Sequence, residues 1–271
     1  MRVVSLVPSL TETLFDLGAG GDVAGITDFC IFPPGLQLPR LGGTKNPRVE
    51  EIRALAPDLV YMNSEENLRR HAEAIGAFAR VHVSEPKSVE DVAALIGELG
   101  EIHGRRERAK ELVDQLRAEL HAFPPLPARG ERAGVRGRPS QRGKAPHPDP
   151  LPVPGRGDVG MFTFACPIWK NPWMWCGGDT YVSRLVECAG GVNVLGERLR
   201  YPHVELKDVL ALRPDVIFLP DEPYLFTQAD AAAIGARTIG PFPGHLFTWH
   251  GTRTIQGLRF LRNEVPRPEA P

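Results

Sequence analysis

The sequence predicts an α/β protein built from two similar lobes with parallel sheets, joined by a single long α-helix and facing each other across a cleft. Short apolar runs of strand length alternate with helical segments, a pattern typical of parallel sheets covered on both faces. The segment ALAPDLVYM (54–62) has a near copy in ALRPDVIFL (211–219). A weaker echo pairs residues 14–23 with 185–194, in the same order along the chain. Two related α/β halves explain both repeats.

The elements of the two halves follow from the local pattern. The first strand is predicted at 2–7, and Pro8 with a capping box, Ser9 and Glu12, predicts a helix that ends at Gly18. Glycines near 100–104 predict a break in the helical pattern of 88–122, which leaves an interlobe helix at about 105–122. The other predicted strands are 23–27, 58–62, 80–84, 158–164 and 215–219, and the other helices are 49–56, 66–79, 179–190, 204–212 and 252–264.

These elements predict an N-terminal lobe over residues 1–87, a helical segment with the interlobe helix over 88–123, and a C-terminal lobe over 158–271. Residues 124–157 hold nine of the 27 prolines, seven Lys or Arg and two acids. This composition predicts a disordered insertion. A weaker alternative treats the insertion as a basic arm for nucleic acid. Because aromatic residues are not interleaved, a passive insertion is favoured and no nucleic-acid partner is expected.

Composition bounds the class of protein. The 271 residues are 42% hydrophobic and 24% charged, with a net charge of −1, as in soluble globular proteins. No run reaches the roughly 18 apolar residues of a membrane span, and the first residues lack the pattern of a signal peptide. The four cysteines have no CxxC spacing, so reduced thiols are the default. We expect a cytoplasmic monomer, or an extracytoplasmic one if the true start lies upstream.

Candidate binding residues lie in loops. Ligands of open parallel sheets bind beyond the C-terminal ends of the strands. All four tryptophans lie in loops of the second half, three of them within IWKNPWMWCGG (168–178). Such rings favour a flat apolar ligand, although at least one of the three should fill the base of its lobe. HExxH, GxSxG, GxxxxGK[ST] and GxGxxG do not occur, so no catalytic residue, catalytic cofactor or metal site is predicted.

Several segments resemble a known family. These are RVVSLVPSLTETLFDLGAG (2–20), DFCIFPP (28–34), LGGTKNPRVEEIRALAPDLV (41–60) and NSEEN (63–67). They are similar to the helical-backbone, or class III, periplasmic substrate-binding proteins, and most to the branch that binds vitamin B12. The resemblance implies two Rossmann-like lobes that close only slightly. It also implies delivery of a corrinoid, haem or ferric siderophore to an ABC importer permease.

The resemblance also implies a set of contact residues. In the B12 branch aromatic side chains of both lobes flank the ligand; Phe29, Trp173 and Trp249 fall at such positions, and Pro8 lies in the first loop over the ligand. Thr44 or Lys45, and Met62 or Asn63, stand at two further aromatic places. Glu65 and Glu66 are candidates for docking on the permease, whereas no acid stands at the matching place near His250. The candidate ligand-binding residues are Pro8, Ser9, Phe29, Cys30, Thr44, Lys45, Asn63, Trp173, Trp175, Trp249 and His250.

The sequence therefore predicts a binding protein, not an enzyme, for a cobalamin-like ligand or another metal chelate. The alternative is a cytoplasmic metal-handling protein or enzyme that uses the same cleft. Its candidate reactive residues are Cys30, Glu65, His245 and His250.

Overall fold

The computed structural model describes residues 1–123 and 161–265. Its architecture is two four-stranded parallel sheets and one short antiparallel hairpin. The insertion predicted over 124–157, and the first residues of the strand predicted at 158–164, lie outside the described residues. Within the described residues, no helix is both long enough and apolar enough to cross a membrane.

The N-terminal lobe is built on a sheet of order β2-β1-β3-β4. All its strand pairs are parallel, so the chain crosses over a sheet face between strands. Its elements are β1 (Val3–Ser5), α1 (Pro8–Asp16), a 3₁₀ turn (Gly20–Asp22), β2 (Val23–Ile26), α2 (Val49–Ala54), β3 (Leu59–Asn63), α3 (Arg69–Gly76) and β4 (Arg80–Ser84).

The helical segment contains two helices, α4 (Val89–Ile102) and α5 (Arg106–His121). They are separated at Gly104, which has a φ of 63°. That conformation suits glycine and ends α4 where the glycine pattern predicts a break. The sixteen residues of α5 give it a length of about 24 Å. Its last turn joins the C-terminal lobe, because Glu119 accepts hydrogen bonds from Arg259 and Arg262.

The C-terminal lobe repeats the topology of the first. Its sheet has the order β8-β5-β9-β10, which matches β2-β1-β3-β4 strand for strand. A hairpin of β6 and β7 follows β5 and has no counterpart after β1. The elements are β5 (Phe162–Ala165), β6 (Pro167–Trp169), β7 (Met174–Trp175), α6 (Tyr181–Glu187), β8 (Gly191–Asn193), α7 (Leu206–Ala211), β9 (Val216–Pro220), α8 (Gln228–Ile234), β10 (Thr238–Phe242), α9 (His245–Thr248) and α10 (Arg253–Glu264).

The repeated nine-residue segment is the α2-to-β3 connection of one lobe and the α7-to-β9 connection of the other. Ala56 and Arg213 take positive φ values of 46° and 54° just after each helix, a left-handed ending that proline then follows. The side chain of Asp58 accepts the backbone N–H of Arg2 at 2.7 Å. Asp215 likewise accepts the N–H of Thr163 at 2.7 Å. Each aspartate thus ties the third strand of its sheet to the start of the first.

One hydrophobic cluster runs through both lobes and the helices between them. It joins side chains of α1, α4, α5, α6 and α10, so the lobes share a buried core along one side as well as facing each other. This shared core positions the loops that meet between the lobes. Representative members are Leu10, Leu95, Leu112, Leu185 and Leu258.

The structure corrects the predicted start of the first helix. Pro8 occupies the first helical position and Val7 is the N-cap, with no side-chain cap. The capping box of Ser9 and Glu12 is therefore wrong, because both side chains point toward the C-terminal lobe. The helix predicted at 66–79 begins only at Arg69. Sequence patterns also missed the hairpin, β8, β10, α8 and α9, which are short or lack clear periodicity.

Candidate functional site

A buried histidine of the C-terminal lobe contacts the N-terminal lobe at the C-terminal ends of that lobe's strands. Nε2 of His250 lies 3.5 Å from Oγ of Ser9 and 3.4 Å from Nδ2 of Asn63. The Tyr181 ring packs edge-on against the imidazole at 6.3 Å. Burial lowers the pKa of His250 to about 4. The imidazole is therefore neutral near pH 7.

The amide of Asn63 is oriented by its other contacts. Oδ1 of Asn63 accepts the backbone N–H of Glu65 at 2.8 Å, and Nδ2 donates to the carbonyl of Ser84 at 3.0 Å. Because Nδ2 can only donate, Nε2 of His250 is the acceptor and its proton resides on Nδ1. Asn63 and His250, both predicted from the sequence, are brought together across the lobes.

Beside this contact, α1 and α10 are joined by a buried ion pair. The guanidinium of Arg253 binds both carboxylate oxygens of Glu12, with a distance of 2.9 Å from Nε to Oε2. The Arg253 side chain is 6% exposed and the Glu12 side chain 10%, so the pair is shielded from water. Gly251 lets the helices approach, since a Cβ there would lie 2.2 Å from Oγ1 of Thr13 and its φ is 99°.

Three rings form an aromatic contact between the lobes. Phe32 lies 5.2 Å from the ring of His245 and 5.8 Å from that of Trp249, edge-on in both cases. Arg253 covers Phe32 at 4.0 Å. Sequence reasoning chose Phe29, which is 58% exposed, and missed Phe32 three residues later. The two prolines that follow Phe32 in DFCIFPP were the available signal.

The clustered tryptophans divide into three environments. Trp175 is fully buried and donates from Nε1 to the carbonyl of Val204 at 2.8 Å. Trp173 stacks on Trp175 at 5.3 Å and on Phe226 at 6.0 Å. Trp169 remains 42% exposed. Trp175 therefore fills the base of its lobe, while Trp249 is the tryptophan that meets the opposite lobe.

Carboxylates from both lobes lie near one another at the edge of the interlobe site. We call this edge, with Glu65, Glu66 and Glu222, the rim. Glu65 accepts hydrogen bonds from Arg200 at 3.1 Å and from the hydroxyl of Tyr201 at 2.9 Å. Burial raises the pKa of Glu66 to about 7; Lys45 opposes this shift, and Glu222 and Glu65 add to it. Burial also raises the pKa of Glu222, whose Oε1 accepts from Oγ1 of Thr248 at 2.8 Å. The rim can therefore receive protons or cationic groups.

The remaining predicted residues have mixed placements. Pro8 is buried in the first turn of α1, and the carbonyl of Thr44 accepts Nδ2 of Asn67 at 2.9 Å. Exposed Lys45 donates to the carbonyl of Glu65 at 2.5 Å. Cys30 is fully buried, with its sulfur 3.1 Å from the hydroxyls of Thr11 and Thr27, and burial raises its pKa. The structure places Cys30 in the hydrophobic core.

The reactive set of the alternative hypothesis is not assembled at one point. Cys30 is enclosed by threonines, His245 packs against Phe32, and Glu65 binds the segment around Arg200. Among the described residues, no group of three His, Cys, Asp or Glu side chains is placed to hold a metal ion.

An open concavity of about 900 Å³ lies elsewhere, at the N-terminal ends of β3 and β4. It includes Asp58, Phe78 and Arg80 and is broadly open to solvent. Ligands of parallel sheets bind at the opposite, C-terminal ends of the strands. We therefore place the candidate site between the lobes, where polar and aromatic side chains of both converge.

Known proteins share this architecture. Residues 3–125 match the family model described as periplasmic binding protein. An uncharacterized ABC transporter substrate-binding lipoprotein of Bacillus subtilis, YvrC, is 31% identical over 124 residues, which cover 44% of this chain and 39% of the relative. The vitamin B12-binding protein of Yersinia pestis is 23% identical over 219 residues, covering 80% of this chain and 68% of that protein.

Solved structures agree over almost the whole chain. The periplasmic vitamin B12 binding protein BtuF of Vibrio cholerae has a TM-score of 0.71 at 18% identity, covering 97% of this chain and 95% of that one. The periplasmic haem binding protein HutB of Vibrio cholerae has a TM-score of 0.73 at 16% identity, covering 98% and 99%. These findings agree with the resemblance seen in the sequence: the fold is that of these periplasmic binding proteins, and residues 3–125 match the family model directly.

The expectation of a cytoplasmic protein is wrong. The similar proteins are named as a lipoprotein and as periplasmic proteins, which conflicts with a cytoplasmic location.

Proposed function

We propose that this chain is an extracytoplasmic substrate-binding protein that captures a corrinoid or a related metal chelate, such as haem or a ferric siderophore, for ABC-type import. The contact of Phe32 with His245 and Trp249 carries the proposal, because it puts aromatic rings from both lobes at one point of the interlobe site. Three of the similar proteins are named as binding vitamin B12 or haem, which supports a flat metal chelate as the ligand class.

The geometry suggests how a planar ligand enters. The Phe32 and Trp249 centroids are 5.8 Å apart. The two rings meet edge-on at this separation, so they are already in contact and leave no gap between them. A planar ligand is about 3.5 Å thick, so its uptake requires this contact to open by about that distance.

Polar groups around the rings determine orientation. The buried contact between His250 and Asn63 lies beneath the rings and fixes the two lobes against each other there. Glu66 and Glu222 offer carboxylates at the rim, which match amide or amine groups at the edge of a chelate. The role of Ser9, Thr44 and Lys45 as ligand contacts stays a prediction, as does that of Phe29 and Trp173.

The partner surface is proposed more narrowly. Glu66 remains a candidate for docking on a permease, whereas Glu65 is engaged with Arg200 and Tyr201. A docking role for Glu65 therefore requires that it leave those partners. We expect the protein to act as a monomer.

Titration of the purified protein tests the ligand class. Cyanocobalamin, cobinamide, haem and a ferric catecholate are added separately while tryptophan fluorescence and the visible spectrum of the ligand are recorded. We expect at least one of them to bind with a micromolar or tighter Kd. Trp249→Ala should weaken that binding about tenfold or more, as for a central aromatic contact.

Trp169→Ala is the matched control, because Trp169 is an exposed tryptophan that packs edge-on against Tyr224 of its own lobe at 5.3 Å. Its affinity should stay within about twofold of the original. If none of the four ligands changes the tryptophan fluorescence or shows a shifted visible spectrum, the proposed function is refuted. Equal losses in the two variants would refute the assignment of the site to Trp249.

A further inference from the structure

Two cysteines stand opposite one another at the base of the hairpin. Cys166 directly precedes β6 and Cys176 directly follows β7. The strands are antiparallel, with Pro167 paired to Trp175, so the next pair outward is Cys166 with Cys176. The backbone N–H of Cys176 donates to the carbonyl of Cys166 at 2.8 Å, which confirms that register.

This register brings the two side chains together. Directly opposed residues of a hydrogen-bonded antiparallel pair have Cα atoms about 5.5 Å apart and side chains on the same face. A disulfide requires Cα atoms about 4.4–6.8 Å apart. Both cysteines are fully buried. The Cys176 thiol and burial both raise the pKa of Cys166, as expected for two thiols in contact.

We propose that Cys166 and Cys176 form an intramolecular disulfide that ties the base of the tryptophan-bearing hairpin. The inference rests on the extracytoplasmic location in the proposed function, because disulfides persist in oxidising compartments. The oxidant is a disulfide, either oxidised glutathione or a protein disulfide donor. One cysteine thiolate attacks it and releases one thiol, and the second cysteine then attacks the mixed disulfide and releases the other. Two cysteine thiols are oxidised and one disulfide is reduced.

The bond forms before the hairpin is packed. In the folded protein both sulfurs are inaccessible, and the raised pKa of Cys166 leaves little thiolate to react. During folding the two thiols are exposed and separated by a short loop, so closure is fast. Once packed, the same burial protects the disulfide from reductants.

The hairpin supports the contact between the lobes. The N–H of Gly177 donates to the carbonyl of Arg200 at 2.8 Å, and that of Trp175 donates to the carbonyl of Pro202 at 3.1 Å. The side chains of Arg200 and Tyr201 in this neighbouring segment bind Glu65 of the other lobe. A covalent tie at Cys166 and Cys176 therefore stiffens the base of that interlobe contact.

The other two cysteines are placed differently. Cys30 lies in the N-terminal lobe between Thr11 and Thr27. Cys188 ends α6 and donates to the carbonyl of Arg184 at 3.3 Å. These contacts give each of them a local partner other than a cysteine, whereas the thiols of Cys166 and Cys176 lie against each other.

Mass spectrometry of the full chain tests the pairing. The reduced, unfolded protein is refolded with reduced and oxidised glutathione, and free thiols are then alkylated. Trypsin cleaves after Lys170, between the two cysteines. We expect residues 157–170 and 171–184 to appear as one linked species that separates on reduction, with alkyl groups on Cys30 and Cys188. Alkylation of all four cysteines, or a link that involves Cys30 or Cys188, would overturn the proposal.

Thermal unfolding tests what the bond does. The hairpin loop is short, so the oxidised protein should unfold roughly 5–10 °C above the reduced protein. Cys176→Ser should abolish this difference, and Cys188→Ser, the matched control, should retain it. Equal midpoints for the linked and reduced wild-type protein would refute the stabilising role. Neither readout uses a chelate, so a protein that forms the bond without binding any chelate refutes the proposed function alone.

Discussion

The two copies of the repeated segment build the same framework but end in different chemistry. In both, a left-handed residue, a proline and an aspartate connect a helix to the third strand of a sheet. The first copy continues into Asn63, whose side chain orders the next loop and reaches His250 in the other lobe. The second continues into Asp221, which accepts the N–H of Gly244 within its own lobe. The duplicated residues make the lobes, and the unduplicated loops make the site between them.

The lobes also differ after their first strands. In the N-terminal lobe β1 leads almost directly into α1, whereas in the C-terminal lobe β5 leads into the hairpin before α6. The hairpin carries Trp169, Trp173 and Trp175. Three of the four tryptophans thus come from an addition to a shared topology, and each lobe can be perturbed separately.

The largest expected effect lies where the lobes join, at Glu12 and Arg253. Glu12→Ala leaves a buried arginine without its carboxylate and should cost about 3–5 kcal/mol of unfolding free energy. Urea denaturation measures it. Asp114→Ala, which breaks the exposed pair with Lys110, should cost less than about 1 kcal/mol. A similar small loss for both variants would show that the lobes do not depend on the buried pair.

The next effect belongs to the C-terminal side of the site, at His250. Its folded pKa of about 4 lies below the usual value of about 6.5. The stability contributed by the neutral form is present above pH 6.5 or so and is lost as the pH falls toward 4. His250→Gln should reduce this loss of unfolding free energy at acid pH by about 2–3 kcal/mol.

Denaturant unfolding at a series of pH values measures the His250 effect. His203→Gln, at an exposed position, is the control and should leave the profile unchanged. If the unfolding free energy of the His250 variant fell with decreasing pH as steeply as that of the original protein, this ring would not be kept neutral by burial.

A smaller effect on unfolding free energy is expected from the aspartates of the two repeats, and it should differ between them. Asp215 accepts both the N–H and the hydroxyl of Thr163, at 2.7 and 2.8 Å, whereas the Asp58 side chain accepts the exposed N–H of Arg2. Asp215→Ala should therefore cost about 2 kcal/mol and Asp58→Ala about 1 kcal/mol. Chemical denaturation measures the loss of unfolding free energy in both variants. A larger loss for Asp58→Ala than for Asp215→Ala would contradict this difference between the two aspartates.

The smallest effect lies on the N-terminal side of the rim, at Glu66. Its folded pKa of about 7 lies above the usual value of 4.5, so the folded state binds more protons and stability falls as the pH rises through this window. A shift of this size corresponds to roughly 3 kcal/mol, but Glu66 is only partly buried and solvent screens its charge, so Glu66→Gln should flatten that fall by only about 1 kcal/mol. The slope is opposite to that of His250, and the same series of pH values records both. Glu73→Gln, at an exposed residue of α3, is the control, and a fall that persists in the Glu66 variant would contradict the assignment.

Much of the fold was predictable because its signals are local. Strand-length apolar runs, prolines after helices and the glycine-rich break gave β1 to β4, the two helices of the segment 88–123, and the strand β9. The missed elements are short or follow no period, such as β8 with three residues. The capping box was wrong for a physical reason: Pro8 is the first helical residue and Val7 the N-cap, and the hydrogen-bond partners of Ser9 and Glu12 lie in the other lobe.

The site was predictable only in part. Asn63, Trp249 and His250 were chosen from loops at strand ends, and the structure places all three between the lobes. Phe32 was not among the candidates, because a sequence does not show which rings meet the opposite lobe, and the role of Phe29 stays a prediction. Trp175 and Cys30 look similar to the site residues in the sequence, yet both are fully buried.

By itself the sequence determined two related α/β halves with loops gathered at matching strand ends, because strand periodicity, helix endings and the Pro-Asp connection act over a few residues. Only the tertiary structure decided which side chains meet. Phe32 with Trp249 and Glu12 with Arg253 are contacts between distant parts of the chain. They arise when the shared core docks one lobe on the other, and the packing of whole elements, not any local pattern, selects the residues that face the gap.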